Sequence, residues 1–189
     1  MADFKKCLYC CQPLENGLYH EKCSMELFGR KEPPTLQYTL DDLHELARRS
    51  IINNISVTGV QPKLSLDLSD VQSGKLTFVG LLGDYILKPQ SEDYPSLPEN
   101  EALTMLMARA VGINTAPSGL LPLASGELAY LTLRIDRSVF QKNRIVKRVR
   151  HMEDFCQATE HITENKYRGS MELTAKTIRK YSTQPGYDL

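Results

Sequence analysis

The sequence predicts an α+β protein: a small antiparallel sheet leading into a helical lobe, preceded by a short zinc-binding element. Three observations carry this. Apolar runs with a period of two, separated by turn residues, cluster between residues 64 and 88. Stretches with helical periodicity lie on either side of that cluster. Four of the five cysteines fall within the first 23 residues, spaced like metal ligands rather than like a disulfide framework.

A chain of 189 residues can bury one core, with room for a small appendage. With 41% hydrophobic and 24% charged residues it has the composition of an ordinary globular protein. Twenty-three basic and 23 acidic residues give zero formal charge, so no direct nucleic-acid binding is expected and a zinc-ribbon adaptor for nucleic acid is disfavoured. No apolar run approaches membrane-span length, and Met1 to Lys6 lacks the apolar stretch of a secretion signal. The expected location is the cytoplasm, with no membrane partner.

Residues 1–30 read as a distinct cysteine-rich unit, and Lys31-Glu32-Pro33-Pro34 as a linker, because paired prolines bar a continuous helix. Thr39 is a good N-cap for a helix over Leu40 to Arg49, with Asp41 and Asp42 favourable in its first turn. Leu64, Leu66 and Leu68 alternate with Ser65 and Asp67, predicting a half-buried strand. Lys75 to Val79 and Asp84 to Leu87 predict two more, with turns at Ser73-Gly74 and Leu82-Gly83-Asp84. A helix follows from Pro98 to Val111, its apolar face made by Leu103, Leu106, Met107, Ala110 and Val111, with Gly112 as the stop. Leu128 to Ile135 suits a central strand and Arg144 to Val149 a further one; helices over Met152 to Glu160 and Ser170 to Tyr181 close the chain. The domain boundaries expected are 1–30, 35–136 and 137–189.

Cys7 and Cys10 are separated by two residues, as are His20 and Cys23. Two such knuckles brought together give a Cys3His donor set suited to tetrahedral Zn2+. Cys11 could replace Cys10. Four protein ligands leave no open position, so the site is structural, stapling a segment too short to build its own core.

Residues Ser56-Val57-Thr58-Gly59-Val60-Gln61-Pro62-Lys63 form a small hydroxyl- and glycine-bearing loop able to expose backbone N–H groups. The later strand ends Tyr85-Ile86-Leu87-Lys88-Pro89 and can set one positive charge beside phosphates. Loop, strands, lysine and an acidic helix start together lay out a nucleotide-phosphate clamp. Taken singly, each part also reads as a turn or a solvated lysine.

These segments resemble the HipA-like serine/threonine kinases of bacterial toxin–antitoxin systems, especially their shorter HipT-type branch. The resemblance runs from about Asn54 to Tyr167. Besides the loop and the lysine strand it rests on Glu99-Asn100-Glu101-Ala102, Arg134-Ile135-Asp136-Arg137 and Glu153-Asp154-Phe155-Cys156-Gln157, followed by Lys166-Tyr167.

The resemblance implies a kinase-like N-lobe and the start of a helical C-lobe. It implies ATP contacts from Ser56, Val57, Thr58, Gly59, Gln61 and Lys88, with Glu101, favoured over Glu99, holding the lysine. Leu133 and Ile135 would lie along the adenine-binding hinge. Ser56 and Thr58 would be sites of self-phosphorylation, which would repel ATP phosphates. The family transfers the ATP γ-phosphate, with Mg2+, to a hydroxyl on an aminoacyl-tRNA synthetase class of protein. Its members are restrained by a HipB-like DNA-binding antitoxin, and a small HipS-like protein stands as a further partner.

Catalysis also needs an aspartate that orients the attacking hydroxyl, a nearby asparagine, and a second aspartate for Mg2+. After the hinge position only Asp136, Asp154 and Asp188 occur, none in that context. The expectation is therefore the front half of a HipT-like kinase, with no catalytic residue of its own and no isolated activity. The alternative is a non-catalytic, pseudokinase-like binding module or one half of a split kinase.

Overall fold

Leucine at every second position drives the first strand into the core, and the remaining strands pair outward from it. The computed structural model describes residues 4–52, 63–68, 74–80, 83–141, 144–147, 149–162, 165 and 168–189. They fall into two compact units, Met1–Arg150 and His151–Leu189. The division comes after Arg150, because a hairpin following Asp136 stays with the first unit.

In the first unit β1 (Leu64–Leu68), β2 (Leu76–Phe78), β3 (Tyr85–Lys88), β4 (Ser118–Pro122) and β5 (Leu128–Leu133) form one antiparallel sheet in the order β2-β1-β3-β5-β4. A second, two-stranded sheet pairs β6 (Ser138–Gln141) with β7 (Arg144–Lys147). Lys147 ties that hairpin back to the turn before β3, its ammonium lying 3.1 Å from Asp84 and 3.4 Å from Asp67.

Leu64 and Leu66 are fully buried, as the alternation requires, but Ser65 between them is buried too. Its hydroxyl oxygen accepts the backbone N–H of Gly83 at 2.9 Å. A Cβ at Gly83 would sit 2.2 Å from the carbonyl oxygen of Leu66, so only glycine allows this turn to close against β1. Both faces of β1 are thus covered here, and the period-two pattern understates its burial.

Helix α1 (Glu21–Phe28) and helix α2 (Leu40–Ile52) precede the sheet. α2 starts as its sequence dictates. The Thr39 hydroxyl oxygen accepts the N–H of Asp42 at 3.2 Å, and the Asp42 carboxylate accepts the N–H of Thr39 at 2.8 Å, a reciprocal capping box. Among its described side chains Leu43 and Ala47 are buried.

Helix α3 (Leu97–Ala110) lies where its pattern predicts and ends at Gly112, whose φ of 84° is the left-handed conformation that stops a helix. The face it buries is not the expected one. Leu103, Met107 and Val111 are exposed, whereas Pro98 is buried and Glu101, Ala102, Met105, Leu106 and Arg109 are half-buried. The polar members of that inward face have partners described below, and these decide how the helix is rotated.

The N-terminal Cys/His segment shares the sheet's core rather than standing apart from it: Cys7, Tyr9, Tyr19, Leu27 and Phe28 join Leu64, Leu66, Tyr85, Leu87 and Leu131 in one buried cluster. α1 and β4 have no clear signature in the sequence. β4 reads as a loop because Pro117 precedes it and Gly119 and Pro122 lie within it.

The second unit contains α4 (Phe155–Ala158), α5 (Met171–Tyr181) and α6 (Pro185–Asp188). α4 is shorter than the predicted helix from Met152, because Asp154 is its N-cap: the Asp154 carboxylate accepts the N–H of Gln157, and the Gln157 side chain accepts that of Asp154, both at 2.9 Å. α5 opens on Ser170, whose hydroxyl oxygen accepts the N–H of Leu173 at 3.1 Å. Among the described residues no helix is long and apolar enough to cross a membrane.

Gly83→Ala is expected to destabilise the first unit by about 1–3 kcal/mol, since backbone rather than a flexible side chain must give way. A thermal melt indistinguishable from that of the parent chain would refute this account of the turn.

Candidate functional site

Two chemical groupings stand on this fold. In the first, Cys7 and Cys10 come from the tight loop before α1, His20 from the residue that caps α1, and Cys23 from its first turn. Their donor atoms all lie within 4.8 Å of one another. A tetrahedron with ~2.3 Å zinc–sulfur arms puts its donors roughly 3.8 Å apart, so a small contraction would close this shell on a metal.

His20 is oriented for that task. Nε2 lies 3.0 Å from the carbonyl oxygen of Pro13, so as a donor there it leaves Nδ1 facing the thiols. Nδ1 is 3.4 Å from the Cys10 sulfur and 3.9 Å from that of Cys23. Burial works against the Cys7 thiolate, but the N–H groups of Cys10, Tyr9 and His20 outweigh it and bring the thiol down to about 7. Burial, followed by the negative charge of Cys7, pushes the Cys23 thiol up. A bound cation would remove that conflict by stabilising every thiolate at once. Cys11 is exposed, has φ of 60°, and is not part of the cluster, to which Cys10 belongs.

The second grouping centres on Lys88 at the end of β3. Its ammonium is ion-paired and hydrogen-bonded to the Glu101 carboxylate on α3. Glu101, not Glu99, therefore meets the lysine: two residues apart, they lie on roughly opposite faces of α3, and Glu99 is on the exposed one. Lys88 also lies 5.4 Å from the ring centre of Tyr130, its registered partner across β3 and β5. The side chains of Lys88 and Glu101 are 20% and 27% exposed, so the charges are largely withdrawn from water yet still reachable. The sequence reading missed Tyr130; pairing β3 with β5 in register would have revealed it.

Leu133 and Ile135 separate. Leu133 is buried, and its N–H donates to the Pro117 carbonyl at 2.9 Å; Ile135 is exposed in the turn after β5. Between and beyond them, Arg134 grips Asp136 with two hydrogen bonds, at 3.0 and 2.6 Å, and Arg137 approaches the same carboxylate at 3.7 Å. Arg134 and Asp136 are nearly buried, so this is a structural clamp rather than a loose surface pair. The Arg134 hydrogen bond holds the Asp136 carboxyl below the usual carboxylate range. Ser56, Val57, Thr58, Gly59 and Gln61 lie outside the described residues.

Comparison with known proteins bears on the same region. The family described as the HipA-like C-terminal domain matches residues 55–189, most of the chain. Two relatives from Sinorhizobium fredii, named "Putative kinase Y4mE" and "Putative kinase Y4dM", are 34% and 33% identical over 140 and 135 residues. Those matches cover 71% and 65% of this chain and 32% of each relative. A protein of Haemophilus influenzae named "Putative kinase" is 38% identical over 92 residues, 47% of this chain and 26% of that protein. The chain belongs to the HipA-like kinase family. It spans between a quarter and a third of the length of these relatives.

Two outcomes follow from the geometry. Purified chain should carry one metal ion, lost in Cys23→Ser and retained in Cys11→Ser; elemental analysis of the three proteins checks it, and equal metal content in all three would refute the donor set. Asp136 is worth most above its unfolded value of about 4, and that stability is lost as pH falls through its depressed folded value. Asp136→Asn should therefore cost about 1.5–3 kcal/mol at neutral pH and flatten the acid limb of the stability curve below about pH 4, read by denaturant titration.

Proposed function

We propose that the first unit is the nucleotide-holding lobe of a HipA-like serine/threonine kinase. The observation that carries this is the Lys88–Glu101 pair. Phosphoryl transfer asks little covalent chemistry of the protein and much positioning of charge, and protein kinases meet that need with a strand lysine held by a glutamate from the adjoining helix. Here the lysine ends a central strand, a helix glutamate steadies it, and an aromatic face shields one side.

In this reading Lys88 meets the ATP phosphates, and Glu101 keeps its side chain extended toward them. The backbone N–H groups of Ser56 to Gln61 cover the phosphates. Ser56 and Thr58 accept phosphate from the kinase itself, switching off nucleotide access by charge. The turn from Leu133 to Ile135 is the hinge to which adenine bonds. With Leu133 buried and its N–H engaged, the accessible side chain there is that of Ile135.

Mg2+ and the transfer step belong to the whole kinase, whose substrate we place in the aminoacyl-tRNA synthetase class. We also place it in the cytoplasm as the toxin of a toxin–antitoxin pair, restrained by a HipB-like DNA-binding antitoxin with a HipS-like protein as a further partner. The family membership supports this assignment, and the kinase names of the relatives agree with it. The Cys7, Cys10, His20 and Cys23 site holds Zn2+ and serves architecture, since four protein donors leave no position for a reacting group.

Lys88→Met should weaken ATP binding by about ten- to a hundredfold, the worth of one charge-assisted contact of roughly 1.5–3 kcal/mol. Calorimetric titration of both proteins with ATP tests this, with far-ultraviolet circular dichroism to show that both are folded. Equal affinities would remove Lys88 from the phosphate site.

A further inference from the structure

We propose that Tyr9 and Arg109 are positioning residues, through which the metal-loaded Cys7–Cys10 loop sets the placement of α3 and so of Glu101 against Lys88. The consequence for nucleotide rests on the reading above; the mechanical link does not.

The loop is fastened to the sheet by backbone. The Leu120 N–H of β4 donates to the Leu8 carbonyl at 2.9 Å, and the Tyr19 hydroxyl donates to the Leu120 carbonyl. A Cβ at Gly119 would lie 2.8 Å from the Leu8 oxygen, which shows how closely the two backbones approach. From the other side, Tyr85 of β3 donates through its hydroxyl to the Leu27 carbonyl of α1 at 3.1 Å. Leu8 and Tyr19, the neighbours of Cys7 and His20, are thereby registered on β4, and Leu27 of α1 on β3, the strand that carries the lysine.

α3 is secured differently. Leu103, Met107 and Val111 are exposed and contribute little to holding the helix, which rests on β5 and β4 through other residues. Between the first half of α3 and the loop runs an apolar groove of about 550 Å3, lined by Phe4, Leu8, Ala102, Leu103 and Leu106 among others, so these two surfaces are not close-packed. Toward the loop, close contact is made in the second half of the helix. The guanidinium of Arg109 stacks over the ring of Tyr9, 4.4 Å from its centre, and Tyr9 is itself buried.

Tyr9 lies between donors Cys7 and Cys10, so a metal that fixes both fixes the ring between them. Arg109 and Glu101 are eight residues apart on the same face of one helix, which carries a displacement from one to the other. Metal, Tyr9, Arg109, α3 and Glu101 therefore form one connected chain of contacts.

The test is amide hydrogen exchange, read by peptide, on the metal-loaded chain, the chelator-treated chain, and metal-loaded Tyr9→Leu and Tyr9→Phe. Chelation and Tyr9→Leu should each speed exchange in residues 97–110 by about three- to tenfold, the scale of one partly desolvated cation–π contact. Residues 64–68 should be unaffected. Tyr9→Phe keeps the ring and should match the parent. Arg109→Leu, which cuts the same link from the helix side, should match Tyr9→Leu and stands in for it if that variant fails to fold.

Unchanged exchange in α3 when the metal is removed overturns the proposal. So does an equal rise in β1 and α3, which would make the metal a support for the whole unit. ATP titrated against the loaded chain separates the two readings: no binding refutes the nucleotide site while the exchange result stands. ATP bound equally well by parent and Tyr9→Leu would sever α3 from nucleotide affinity.

Discussion

A lysine and a glutamate drawn together with most of their surface out of water must be held by their surroundings, because desolvation opposes the pair almost as strongly as attraction favours it. The rest of the first unit can be understood as that support. β3 is paired on both sides, by β1 and β5, so the lysine's backbone has no freedom to drift. Tyr130 gives the ammonium a polarisable face where a plain aliphatic neighbour would leave it unsolvated. The helix that brings Glu101 is turned so that Glu101 and Arg109 look inward, although this leaves three large apolar side chains exposed.

That inversion also explains the place of the cysteine-rich segment. A helix that spends its inward face on Glu101 and Arg109 has less apolar surface with which to grip the sheet. The N-terminal segment makes up part of the difference by supplying Tyr9 to Arg109 and by placing Tyr19, Leu27 and Phe28 in the core beside Tyr85. Phe28 meets the ring of Tyr19 edge-on at 5.4 Å and that of Tyr85 at 6.3 Å, joining the segment to β3 through a run of aromatic contacts.

Much of this was legible in the sequence, and what was not has identifiable causes. Thr39 with Asp42, Gly112, and the alternation from Leu64 to Leu68 are local signals whose physics does not depend on distant partners, and they located α2, the end of α3 and β1. The two-residue spacings picked out Cys7, Cys10, His20 and Cys23, which the fold gathers into a cluster that could hold a metal ion, although only the fold separated Cys10 from Cys11. The rotation of α3 was misread because periodicity scores apolarity alone; which face turns inward was settled by Lys88 and Tyr9, both remote in sequence. β4 was missed because its prolines and glycine argue against a strand, yet Gly119 is there to let Leu8 approach. Asp154 was read inside a helix that it begins, since the capping residue and the helix interior differ by a single hydrogen-bonding role.

One further property follows from how the N-terminal loop meets β4. That strand ends the five-stranded sheet, and an end strand offers its outward N–H and C=O groups to any extended chain that drifts past. At Leu120 both groups are already taken, the N–H by the Leu8 carbonyl and the oxygen by the Tyr19 hydroxyl. The cysteine-rich segment thus acts as a guard rail along one border of the sheet, blocking uninvited strand addition there, while at the opposite border Thr35 pairs with Lys75 just before β2 and covers its approach.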